Sequence, residues 1–162
     1  DETGDPVRAD HTLCETWSRL EALYDDGLTR TLGVCNVSLA QLTRLVQAAR
    51  IPPALVQVER HPYCPRTELV EWCHARGIRV IAHSPLSAPG LLSDPVVESV
   101  AGEAGVTPAD AVLAWNVARG VVPIPSTTRS AHAVSNLAAP RSRLDDRAMD
   151  RLDQLATQEF ER

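Results

Sequence analysis

Apolar positions along the chain switch between two spacings. Leu13, Trp17, Leu20 and Tyr24 recur every three or four residues, the period of one helical face. Ahead of them, Thr12-Leu13-Cys14-Glu15 forms a capping box, and Gly27 supplies the stop. Residues 31–36 form a short apolar run, a predicted strand. Ser38-Leu39-Ala40-Gln41 is a second capping box, before Leu42, Leu45, Val46 and Ala49. Pro52-Pro53 ends that helix, because proline has no N–H and its ring clashes with the preceding turn. Residues 54–60 alternate with the period of two that a strand requires. Pro65 precedes a predicted helix over 66–76, stopped by Gly77, and residues 78–84 form a third strand. Asp94-Pro95 and Thr107-Pro108 each set a capping side chain before a proline at the first helical position. Val96, Val97, Val100 and Ala104 mark the face of the first of these helices. The second runs through Val112 and Trp115 to Gly120. Residues 121–125 form a fourth strand, and helices over 130–137 and 145–157 close the pattern. Residues 1–11, with Gly4 and Pro6, read as an irregular lead-in.

Strands that alternate with helices indicate an α/β fold with a parallel sheet. The strands are short and rather apolar, so both faces of the sheet are expected to be covered. A doubly wound sheet and half of an eight-stranded (β/α)8 TIM barrel both satisfy the pattern. No G-x-G-x-x-G follows the first strand, so the ordinary dinucleotide fingerprint is missing.

Composition narrows the classes. With 162 residues, 44% of them apolar, the chain is expected to form one packed domain, residues 1–162. A net charge of -5 argues against a nucleic-acid surface. No run approaches the ~18 apolar residues of a membrane span, and no charged-then-apolar leader opens the chain. A cytoplasmic protein without a membrane or nucleic-acid partner is the expectation. Cys14, Cys35, Cys64 and Cys73 have neither C-x-x-C nor metal-ligand spacing, so free thiols are expected and no metal site. All 16 basic residues are arginine, so no mechanism can draw a lysine from this chain.

The predicted strand ends are polar. The first gives Cys35 and Asn36, and the second carries Gln57. The third gives His83 and Ser84, and the fourth gives Ser126, Thr127, Thr128 and Arg129. In a barrel the active site is built at those ends. The segments ETWSRLEALYDDGLTRTLGVCN (15–36), LVQVERHPY (55–63), GIRVIAHSPLS (77–87), DPVVESVAGEAGVTPADAVLAWNVARGVVPIPSTTR (94–129) and SNL (135–137) together resemble the aldo-keto reductases in family order. The chain is similar to the C-terminal half of that family, strands five to eight of its barrel. The resemblance implies an NAD(P)H-dependent oxidoreductase that passes hydride between a nicotinamide and a small-molecule carbonyl substrate. NADP is the preferred cofactor and NAD the alternative.

What the resemblance assigns is the cofactor side of the site. Asn36 and Gln57 would hold the nicotinamide carboxamide, since an amide both donates and accepts. Gln57 has the alternative of satisfying buried backbone. Cys35 stands where the family usually has Ser. His83 stands where it often has a stacking Tyr, the alternative being a satisfied core histidine. Ser84 to Ser87, with Leu86, resembles the loop that wraps the pyrophosphate. Ser126, Thr127, Thr128 and Arg129 precede a helix, a setting suited to an anion. By resemblance they would hold the adenosine 2′-phosphate, the alternative being ordinary capping. Many members have Lys at the position of Ser126 and Arg at that of His132. Asn136 matches an adenine-contacting Asn. Arg60-His61-Pro62 and the three tryptophans read as structural.

No catalytic residue is assigned. The family's Asp, Tyr, Lys and His tetrad lies in its first half, and neither Tyr24 nor Tyr63 matches the catalytic tyrosine. The resemblance therefore implies a fragment, inactive alone, or a chain completed by a separate N-terminal half or by a second copy. A truncated non-catalytic nucleotide-binding or structural module is the competing expectation.

Overall fold

The computed structural model describes residues 12–139 and 142–156. Four strands, β1 (Gly33–Cys35), β2 (Leu55–Glu59), β3 (Arg79–His83) and β4 (Val122–Pro123), form one parallel sheet in the order β1-β2-β3-β4. Among the described residues seven helices accompany them: α1 (Leu13–Asp25), α2 (Leu39–Ala48), α3 (Thr67–His74), α4 (Pro95–Ala104), α5 (Pro108–Ala118), α6 (Ser130–Ala138) and α7 (Asp146–Asp153). A 3-10 turn, Leu91–Ser93, precedes α4. The sequential strand order has no reversal and hence no switch point of the doubly wound kind.

Local chemistry places the helix starts where the sequence puts them. Thr12, Ser38 and Thr107 each close a full capping box, and Asp94 and Asp145 cap α4 and α7. α3 departs from this pattern. It starts at Thr67 behind Arg66, which is left-handed at φ 50 and gives no side-chain cap. The strands at the flanks are shorter than predicted, since β1 and β4 each have a hydrogen-bonding neighbour on one side only. Residues 1–11 and 157 lie outside the described residues.

Among the described residues the sheet is covered on one face, where coverage of two was expected. Val34, Val56, Val58, Val80 and Ala82 point into a core completed by Trp17, Leu42, Leu45, Leu69, Val70 and Cys73 of α1, α2 and α3. On the other face Cys35 and Arg79 are exposed, and Leu55, Gln57, Glu59, Ile81 and His83 are half-buried. Strand alternation thus separates an apolar face from a mixed one. Gly33 lets β1 approach β2, because a Cβ there would meet Leu55 Cδ1 at 2.6 Å. A second core joins Leu91, Val97, Val100, Ala101, Val112 and Trp115 to Met149 and Leu152 of α7. Two expected face positions are exposed instead. Tyr24 rides over the end of α1, and Ala104 gives its place on α4 to Ala101.

Several buried polar groups have identified partners. Glu21 accepts from the N–H groups of Arg50 and Ile51, both at 2.8 Å, where the Pro52-Pro53 break frees them. Trp17 Nε1 donates to the Ile51 carbonyl at 2.9 Å. Trp115 Nε1 donates to Asp153, which also receives Arg119. Arg60, 2% exposed, lies 3.9 Å over the Trp115 ring. Its Nη1 donates to Asn116 Oδ1 at 2.6 Å and its Nε to the Pro65 carbonyl at 2.8 Å. Burial pulls its pKa down to about 10, so it stays charged at neutral pH. Breaking a buried charged hydrogen bond costs more than replacing the whole group. Asn116→Leu, which leaves the cation's Nη1 without its acceptor, should destabilise by about 3 kcal/mol, and Arg60→Met by much less. Urea unfolding checks the order. A larger loss for Arg60→Met would contradict it.

Candidate functional site at the strand ends

A parallel sheet sends all its strand C-termini to one side. Here β1, β2 and β3 deliver Cys35, Gln57 and His83 to that side, and the residues following β1 and β3 turn sharply. Asn36 at φ 54 and Ser84 at φ 50 are left-handed, a conformation costly for residues with a side chain. Asn36 keeps the sheet's bonding by donating its N–H to the Gln57 carbonyl at 2.9 Å. These two positive-φ residues, at the ends of the strands that flank β2, bring their short polar side chains to the same histidine, His83.

Five of the predicted residues meet there. His83 Nε2 lies 2.7 Å from Asn36 Oδ1, and His83 Nδ1 lies 3.0 Å from Ser84 Oγ. The Cys35 thiol donates to Gln57 Oε1 at 3.6 Å. Asn36 and Cys35 are exposed, and the other three are half-buried. Leu86 is apart from this cluster, half-buried against the second core with Tyr63 and Ala88.

Ser126, Thr127, Thr128 and Arg129 occupy the irregular stretch from β4 to α6. They reach the same side because Ile124 N–H donates to the Ala82 carbonyl at 2.9 Å. Thr127 Oγ1 accepts from Arg129 N–H at 3.1 Å. Arg129 is the N-terminal flank of α6 and makes no side-chain cap. Ser126, Thr128, Arg129 and His132 are exposed. Thr127 and Asn136 are half-buried and share the wall of a cavity of about 620 Å³ with Val117, Val121, Pro125 and Leu137. Among the described residues no hydrogen bond joins this group to the His83 cluster.

One neighbour was not among the expected residues. Glu59 stands in register with His83 on the same sheet face and meets His61 Nε2 at 3.3 Å. The alternation Leu55, Gln57, Glu59 carried the signal, since all three lie two residues apart. His61 is 1% exposed, and its Nδ1 has no hydrogen-bond partner among the described residues. Beyond it, Tyr63 donates its hydroxyl to Asp94 at 2.7 Å, and that bond helps hold the Asp94 carboxyl below its usual range. The four cysteines are free thiols. Burial raises Cys64, and Cys73 to about 11, which leaves those two poor nucleophiles.

The chemistry such a cluster can perform is recognition. Two amides offer hydrogen bonds to a planar polar headgroup, beside an imidazole whose nitrogens are engaged by Asn36 and Ser84. Arg129 and the α6 N-terminus offer a charged contact to an anion further along the same side. Among the described residues no group of three or more His, Cys, Asp or Glu could hold a metal ion, and no helix is long and apolar enough to cross a membrane.

Comparison with known proteins identifies relatives of the chain. A family model described as "Aldo/keto reductase family" matches residues 5–157. Aldo-keto reductase family 1 member A1 of Homo sapiens is 38% identical over 149 residues, covering 82% of this chain and 46% of its own. Aldo-keto reductase family 4 member C11 of Arabidopsis thaliana is 40% identical over 128 residues, covering 75% and 41%. A solved structure of the aldose reductase from Schistosoma japonicum superposes with a TM-score of 0.89 at 28% identity. It covers 99% of this chain and 53% of that one. The chain spans about half the length of the curated relatives it matches.

Burial lowers the His61 pKa, and this outweighs the opposing pull of Glu59. Unfolded His61 therefore binds its proton before the folded form does. Stability is fully present above the ordinary value of 6.5 and is lost as pH falls below it. The urea midpoint should drop between pH 7.5 and 5.5 in the wild type and drop less in His61→Gln. Equal drops would remove His61 as the cause.

Proposed function

The chain belongs to the aldo/keto reductase family, and on that premise we propose that it supplies the cofactor-binding half of an NADP-dependent carbonyl reductase. The observation that carries the reading is the contact of His83 with Asn36 and Ser84, with the Cys35–Gln57 pair beside it, toward the C-terminal side of adjacent parallel strands. That side is where barrel enzymes place their sites.

The residues present fit a nicotinamide nucleotide. The –NH2 groups of Asn36 and Gln57 have no acceptor among the described residues and are available to the ring's carboxamide. The His83 ring offers a flat surface beside them, and Ser84 opens the turn that would follow the pyrophosphate. Arg129 is exposed and has no carboxylate partner among the described residues, so its guanidinium is available to a phosphate. Asn136 and Thr127 border the cavity beside it, suited to the adenosine end. When bound, the cofactor supplies the hydride. This chain's own part is to bind it, fix which ring face is presented, and limit water at the half-buried end of the site.

Proton donation falls to groups from elsewhere. The chain has no lysine, Tyr24 sits on the outer end of α1, and the Tyr63 hydroxyl is engaged by Asp94. In this reading the strands correspond to five through eight of a (β/α)8 barrel. The mixed sheet face and the open sides of β1 and β4 are then covered by an N-terminal half or by a second copy. The one-sided core and the 53% coverage of the aldose reductase fold support that assignment. NADP is favoured over NAD because Arg129 can meet a 2′-phosphate. The substrate is a small aldehyde, ketone or keto acid, and the intact enzyme is cytoplasmic.

In the intact protein, Arg129→Ala should weaken NADPH by ~1–3 kcal/mol, the worth of a charged hydrogen bond, and leave NADH nearly unchanged. Calorimetric titration with both nucleotides measures this. Equal losses would refute Arg129 as the 2′-phosphate ligand, and no binding of either at millimolar concentration would refute the cofactor reading.

A further inference from the structure

An amide can present either end to a ligand, and in this site the neighbours make the choice. Asn36 Oδ1 is 2.7 Å from His83 Nε2. An amide oxygen only accepts, so Nε2 carries the hydrogen and donates it. With the ring hydrogen on Nε2, Nδ1 is left to accept from the Ser84 hydroxyl, 3.0 Å away. The left-handed backbone of Asn36 and Ser84 holds both partners against the ring. Gln57 Oε1 is likewise taken, by the Cys35 thiol at 3.6 Å. Both amide oxygens are engaged inside the protein, and among the described residues neither –NH2 group has an acceptor. The carboxylate on this face, Glu59, is turned to His61.

We infer that His83 and Cys35 are positioning residues that make Asn36 and Gln57 a pair of hydrogen-bond donors, so that the site reads its ligand by a carbonyl oxygen and does not require a ligand N–H. The inference rests on the nicotinamide reading and specifies which part of the headgroup is recognised. A carboxamide carries both a C=O and an –NH2, and here the C=O meets the donors. His83 is the stronger of the two positioning groups. Its bond is short and its donor is a ring N–H, whereas a thiol donates weakly.

The probe is the reduced 3-acetylpyridine analogue of NADPH, in which a methyl ketone replaces the carboxamide. It keeps the carbonyl and loses the N–H donors. With the intact protein, fluorescence titration should give the two nucleotides dissociation constants within about threefold of each other, less than one ordinary hydrogen bond is worth. A larger preference for NADPH overturns the inference, because it requires an acceptor facing the carboxamide –NH2. His83→Phe removes the N–H that holds Asn36, frees the amide to turn, and should raise the preference for NADPH by about fivefold. His83→Gln keeps an N–H donor and should restore the wild-type ratio. An unchanged ratio in His83→Phe removes His83 from the role. The ratio is taken on one protein sample, so a partly misfolded variant affects both titrations alike. Failure of both nucleotides to bind the wild-type protein overturns the nicotinamide reading itself, and this inference with it.

Discussion

One parallel register sets Cys35 of β1, Gln57 of β2 and Ile81 of β3 at the same level, with Glu59 beside His83 two residues further on. Side chains alternate across a strand, so this register decides which residues share a face. A slip of one residue would turn Gln57 and His83 into the helical core and bring Val56 and Ala82 to the site. The core prevents this. Val34, Val56, Val58, Val80 and Ala82 are at most 9% exposed beneath α1, α2 and α3. The hydrophobic packing on one face therefore holds the polar constellation on the other.

The turns after the strands complete what the register begins. Gly33 brings β1 close to Leu55, and the Asn36 N–H continues the ladder to Gln57. The chain then bends at Asn36 and at Ser84, and both bends are left-handed. Strain of this kind persists only where the surroundings fix it. Here the hydrogen bonds of His83 to both residues link the two bends. The buried Arg60, set between Trp115, Asn116 and Pro65, ties the exit of β2 to α5 behind the site.

Much of this was legible in the sequence because it is local. Capping boxes at Thr12 and Ser38 act over three residues, and the cap-plus-proline starts at Asp94 and Thr107 over two, so they are read without knowing the fold. Polar residues at Asn36, Gln57, His83 and Ser84 stood out against apolar strands for the same reason. What was not legible depends on distant partners. Strand lengths depend on neighbours, and the flanking strands β1 and β4 fell short. Coverage of both sheet faces was expected from apolar content, yet the alternation Leu55, Gln57, Glu59 described the mixed face that the structure has. The internal capture of the amide oxygens needs Asn36 and His83, 47 residues apart, to meet. No spacing rule reports that. The grouping of Leu86 with the second core likewise arises from α4 and Tyr63, not from its place beside Ser84.

The account turns on whether a nicotinamide ring occupies the strand ends that this register assembles. A crystal structure of the intact protein with NADP bound tests it most directly. The account predicts the carboxamide against Asn36 and Gln57, the ring beside His83, and the 2′-phosphate at Arg129. A nucleotide bound elsewhere, with Asn36 and Gln57 free of it, would contradict the account.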